Sequence, residues 1–207
     1  MTVAFMRSGQ VKKIDAMLVA TFLSTIFYSS AYPHIHQIVI TQLPPEAISY
    51  NQIINCIALI GTCALWNKYS DNLFKYYNLF CTLETASYIL IVTYAIRTGN
   101  LYGYYMLDTF DFAIITNNII RGGTKLRAIL YNTEKKRERF DNNNCIASSL
   151  ATLLGSGISL ILRLDINALL IISAVGGCID NVIYMGIFTK NRRCNHGTED
   201  SNHKNQV

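Results

Sequence analysis

"RGGTKLRAILYNTEKKRERFDNNN", Arg121 to Asn144, is the most charged stretch of the chain and lies between two long apolar runs. It carries Arg121, Lys125, Arg127, Lys135, Lys136, Arg137 and Arg139. Such a segment has two physical readings. On a soluble protein it is a nucleic-acid patch; between bilayer spans it is a loop that positive charge keeps on the cytoplasmic side. The surrounding chain decides between them. Of 207 residues, 51% are hydrophobic and only 15% charged, whereas a soluble domain carries about 25% charged residues. The net charge of +5 matters less than its placement, and the charges sit almost wholly between apolar segments. The expected partner is therefore a lipid bilayer and not nucleic acid.

A hydrocarbon core about 30 Å thick takes roughly 20 helical residues. Working outward from the basic segment, six stretches fit: residues 16–32, 50–66, 76–96, 101–120, 145–162 and 167–188, the first extending past Pro33 if the helix tolerates it. Tyr28, Tyr32, Tyr50, Trp66, Tyr76, Tyr77, Tyr102 and Tyr104 crowd near their ends, as amphipathic rings do at headgroup level. With this division, sixteen of the eighteen Lys and Arg fall on one side, and only Arg97 and Arg163 on the other. A wrong span count would scramble that asymmetry. The expected fold is an all-α, polytopic six-helix membrane bundle in the cell (inner or plasma) membrane, with both termini cytoplasmic. Residues 1–193 make the membrane domain, and 194–207 a polar, disordered cytoplasmic tail.

Within the basic loop, Leu126, Ile129 and Leu130 fall at i, i+3 and i+4, which predicts a short amphipathic helix. Gly122 and Gly123 are expected to end span four. Basic side chains there would meet anionic headgroups or simply orient the chain. Pro44 and Pro45 mark the first outer loop, and His34 and His36 are read as belonging to it rather than to a metal site. The six cysteines form no C-x-x-C pair and read as small buried hydrophobes.

Ionisable residues inside a span are costly and are functional candidates. Four stand out: Glu84, Asp108, Asp111 and Asp180. At about 1.5 Å per helical residue, Glu84, Asp111 and Asp180 all fall roughly 12 to 15 Å from a span end, near the midplane. Asp108 and Asp111 are i, i+3 and share a helix face; Asn117 and Asn118 make the same span polar. These carboxylates are candidates for binding a small solute, a proton or a cation, and Asn117 for joining them. Gly155, Gly157, Gly176 and Gly177 read as close helix contacts. No cofactor or metal site is expected, and no catalytic pairing of the Ser–His, Cys–His or H-E-x-x-H type appears, so an enzyme is not expected.

Two stretches carry a family resemblance. "LRAILYNTEKKRERFDNNNCIASSLATLLGSGISLIL", Leu126 to Leu162, resembles the fourth-to-fifth helix junction of the major facilitator superfamily. "NKYSDNLFKYYN", Asn67 to Asn78, is similar to that family's G-x-x-x-D-R-x-G-R-R loop: Asp71 and Lys75 match in type and spacing, while Asn67, Asn72, Phe74 and Tyr76 do not. No proline flanks Gly157 and span four holds no arginine in its membrane part, so the family's antiport motif of helix five and arginine motif of helix four are absent. The resemblance implies a transporter whose fourth helix lines the substrate cavity and whose third and sixth helices are peripheral. It also implies a missing half, because the family builds its cavity from two six-helix repeats. The expected function is a half-size transporter working as a homodimer or with another membrane subunit. The competing expectation is a non-transporting interaction protein (immunity, exclusion or regulatory subunit) or a transporter remnant.

Overall fold

A computed structural model describes residues 2–7, 10–162 and 164–204, with side chains from Asp15 to Arg192 apart from 160, 162 and 163. Residues Thr2–Arg7 (β1) and Gln10–Asp15 (β2) pair as an antiparallel hairpin. From Ala16 on the chain is helical: α1 Ala16–Gln42, α2 Pro45–Lys75, α3 Tyr77–Thr98, α4 Leu101–Asp111, a π-helical turn Phe112–Thr116, α5 Asn117–Leu130, α6 Glu134–Leu162 and α7 Ile166–Lys204. Because α4, the π turn and α5 run on as one rod, the helices make six rods.

Local chemistry sets the joints. Asp15 caps α1 by accepting from the Met17 backbone N–H at 2.9 Å, an N-cap interaction that satisfies an otherwise unpaired donor. Proline cannot donate to the helix ladder, yet α1 runs through Pro33 and ends only at Leu43. Pro45 then opens α2 from its first position, where the missing N–H costs nothing. His34 and His36 therefore lie on a helix, not in the expected loop. Gly99, at φ 65°, closes α3 in the left-handed conformation that favours glycine. Asn100 then starts α4 by accepting from Gly103 N–H at 2.9 Å.

The opening stretch folds differently from expectation. It is not a 24-residue loop. Helix α5 continues through Gly122 and Gly123 to Leu130, and α6 begins at Glu134, so only Tyr131 to Thr133 turn the chain. Gly122 does not end the helix; a Cβ there would strike the Tyr77 ring, so the residue lets α3 pack tightly on α5. Leu126 is fully buried, whereas Ile129 and Leu130 remain exposed. The basic side chains are partly structural. Arg137 Nε donates to the Tyr131 carbonyl at 2.8 Å, satisfying the carbonyl end of α5. Tyr131 OH donates to Asp15, and its ring stacks on Phe140 at 4.5 Å. Burial and the Asp15 carboxylate raise the Tyr131 phenol above its ordinary range.

Two apolar clusters hold the bundle. One joins Met17, Tyr77, Cys81, Ile119, Leu126, Phe140, Ile187 and Phe188. The other joins Ala31, Ile35, Val39, Ile91, Val92, Ala95, Tyr104, Leu169, Leu170 and Ala174. Met17 and Ile187 share a cluster, so the start of α1 and the Ile187 region of α7 lie at the same end of the bundle. Helix α1 is central and packs on α6 and α7, and α3 packs on α7 and α4. Large apolar side chains cover the outside: Ile60 is 69% exposed, Leu90 69% and Leu153 71%. An exposed apolar surface of this extent marks contact with lipid or protein. Helices α2 and α3 and residues Ile166–Arg192 of α7 are long and apolar enough to cross a membrane. Helix α7 continues in backbone to Lys204, into the segment expected to be an unstructured tail; side chains beyond Arg192 lie outside the described residues.

Candidate functional site

On α3 and the α4–α5 rod the polar residues lie between the contributions to the two apolar clusters, and on α1 and α7 they begin there and interleave with the second cluster at Ala31 and Ala174. On α3, Glu84 and Tyr88 fall between Cys81 and Ile91; on α7, Ser173 to Asp180 fall between Leu170 and Ile187. On the α4–α5 rod, Asp108 to Thr116 fall between Tyr104 and Ile119. On α1, Ser24 and Tyr28 follow Met17 and precede Ala31. The bundle is thus apolar at both ends and polar in the middle. That middle holds a half-open cavity of about 500 Å³ between α1, α2, α3, the α4–π rod and α7.

Three of the expected carboxylates line it together: Glu84, Asp108 and Asp180. The resemblance implied that the third and sixth rods are peripheral, but α3 and α7 bring Glu84 and Asp180 to the same cavity as Asp108. The family expectation placed them by helix number, whereas packing of α3 on both α7 and α4 turns their polar faces inward. Glu84 is buried and accepts from Thr116 Oγ1 at 2.6 Å. No hydrogen bond reaches the Asp108 carboxylate among the described residues. Among the described lining residues there is also no Lys or Arg; the basic-type side chain present is His36.

Asp111 and Asn117 lie beside the cavity rather than on it. Asp111 is buried and accepts from Ser87 through one oxygen, while its second carboxylate oxygen has no partner. Asn117 donates through Nδ2 to the Ala113 carbonyl at 3.2 Å, and Thr62 Oγ1 donates to the same carbonyl at 3.3 Å. Ala113 sits in the π turn, where i→i+5 bonding displaces carbonyls from the ordinary α-helical pairing. Asn117 therefore supports the turn that presents Thr116 to Glu84.

Aromatic rings form one wall. Tyr28 and Tyr32 stack at 4.5 Å between centroids, and Tyr32 and His36 at 5.7 Å, one helical turn apart along α1. His34 points elsewhere and hydrogen-bonds Ser159 on α6, so the two histidines are divided between a helix contact and the cavity. Among the described residues no group of three metal-ligating side chains gathers. On α2, Asn51 and Asn55 reach the cavity. Asn51 is completely buried and donates to Thr109 Oγ1 at 2.9 Å. The Oδ1 atoms of both Asn51 and Asn55 are buried without partners. Sequence reasoning missed these two. Their signal was a polar pair at i, i+4 on an apolar span, which is the spacing of one helix face.

The glycines differ from one another. A Cβ on Gly155 would clash with Ser29 Oγ and the Ile26 carbonyl of α1, whereas around Gly157 nothing lies within 4 Å. Gly155 is a close contact and Gly157 is not. On α7, a Cβ on Gly176 would come within 2.6 Å of Phe27 Cβ. At the basic end, Asp71 forms an ion pair with Lys125 of α5 and not with Lys75. Lys125, and Lys75 more weakly, hold the Asp71 carboxyl below its usual range.

No protein-family model, no curated protein and no solved structure matches the chain.

Proposed function

We propose that this membrane protein is a half-size transporter of a small solute. In this reading all six rods span the cell membrane, with both termini on the cytoplasmic side. It acts as a homodimer or with another membrane subunit, and is related to one half of a major facilitator. The cavity carries the reading. Three carboxylates from three rods line a half-open cavity in the polar middle of a bundle whose exterior is apolar. Ionisable groups at membrane depth are costly and mark solute or ion pathways. The sixteen-to-two distribution of Lys and Arg supports the orientation.

Transport requires the cavity to open alternately to each side. Ser173 lines it from α7. In a background with all six native cysteines replaced, Ser173→Cys is expected to react with a membrane-impermeant thiol reagent applied from either face of a proteoliposome. Reaction from one face only would sink the transport reading and leave a one-sided binding protein.

A further inference from the structure

We infer that the cavity takes a small amphiphilic amine in its ammonium form, the charged head drawn to the carboxylates that line it, Glu84, Asp108 and Asp180. This rests on the reading of the cavity as a solute site. Three independent observations select the class.

The first is charge. Glu84, Asp108 and Asp180 approach one space from three helices, with no Lys or Arg among the described lining residues. Carboxylates withdrawn from water without a counter-ion carry a large desolvation penalty, and a bound cation removes it. The second is hydrogen bonding. The Asp108 carboxylate lines the cavity and has no hydrogen-bond partner among the described residues. A ligand that completes this acceptor brings N–H donors, as a primary ammonium does and a quaternary one does not.

The third is size and lining. About 500 Å³ lies in the range of sites for organic ligands, roughly 300 to 1,000 Å³. It is far larger than an inorganic cation needs. The stacked Tyr28 and Tyr32, together with Phe112 of the π turn, give apolar lining for a hydrocarbon or aromatic body. A bare metal ion or proton would leave that lining unused.

The test is equilibrium dialysis of the purified full chain in detergent with 2-phenylethylammonium. The comparison probes are its N,N,N-trimethyl counterpart and 3-phenylpropanoate. The primary amine is expected to bind, the trimethyl probe about tenfold more weakly through loss of its N–H donors, and the anion not at all. Asp108→Asn and Asp180→Asn should each weaken amine binding by about tenfold or more. Gly157→Ala, which lies in open space, should leave it unchanged. Thermal melts of the variants separate lost binding from lost folding, and these near-isosteric changes at two positions guard against one variant failing to fold. Anion binding as tight as the amine's, or folded carboxylate variants with unaltered amine affinity, would overturn the inference. Amine binding together with one-sided labelling at Ser173→Cys upholds the ammonium site and overturns transport. Two-sided labelling without amine binding does the reverse.

Discussion

Thr116 Oγ1 donates to Glu84 Oε1 across 2.6 Å, tying the π turn of the fourth rod to α3. The hydroxyl is the hydrogen-bond partner of a carboxylate that is only 5% exposed. Because the π turn adds a residue to the helical repeat, it sets which side chains of this rod face α3. Thr116→Val keeps the shape and removes the donor. We expect a stability loss of about 1 to 3 kcal/mol, the cost of leaving a buried acceptor unpaired. Glu84→Gln combined with Thr116→Val should be less than additive by urea or thermal unfolding in detergent. Full additivity would show that the two groups are uncoupled.

Two glycines two residues apart on α6, and so on different faces of it, separate close packing from mere smallness. Gly155→Ala drives a methyl group into Ser29 and the α1 backbone and should cost about 1 to 3 kcal/mol, as overpacking does. Gly157→Ala meets no atom within 4 Å and should be neutral or slightly stabilising, since alanine is the better helix former. Equal melting temperatures for the two variants would contradict the α1–α6 contact.

The Asp71–Lys125 pair predicts an acid-side effect. Lys125 lowers the folded-state pKa of Asp71. A depressed carboxyl pKa contributes stability that is present above the unfolded pKa and is lost as pH falls through the folded one. Asp71→Asn should therefore flatten the acid limb of the stability profile: it should be slightly less stable than the parent at neutral pH, and the two should converge as pH falls through the folded-state pKa. Asp71 is 91% exposed in its side chain, so added salt should erase the difference between the two proteins. A difference that persists in high salt would argue for another role.

Tyr131 predicts the opposite limb. Its folded-state pKa is raised above the ordinary 10.0 by burial first and by Asp15 second. The associated stability is fully present below the unfolded pKa and is lost as pH rises toward the folded value. Tyr131→Phe removes the hydrogen bond to Asp15 but keeps the stack on Phe140; about 1 kcal/mol should be lost at neutral pH. Tyr131→Ala loses the stack as well and should melt lower than Tyr131→Phe. If the two variants melt alike, the ring stack contributes nothing.

Apolar periods made it legible, from sequence alone, that this chain is helical with segments long and apolar enough to cross a membrane. They also placed the carboxylates inside helices, because a charge within an apolar run is visible without any coordinates. Helix ends were less legible. Gly122 and Gly123 read as a break and Pro33 left the end of the first helix open, but a proline loses only one ladder bond and a glycine pressed against Tyr77 recovers its helical penalty in packing. The joint at Tyr131 was invisible for a related reason: Arg137, Asp15 and Phe140 fasten it from distant points in the chain.

Tertiary structure alone decided which polar groups meet. Asp111 and Asn117 looked as suitable as Asp108 by helical position, yet packing turns Asp108 to the cavity, Asp111 to Ser87 and Asn117 to the π turn. Glu84 and Asp180, 96 residues apart in number, share one space because α3 packs on α7. Asn51 and Asn55 join it with unpaired carbonyl oxygens. Sequence determined the burial cost of each charge, since that depends on the apolar run around it. The angle at which one helix rests on another determined which charges share a cavity, since that angle depends on contacts between side chains far apart in the chain.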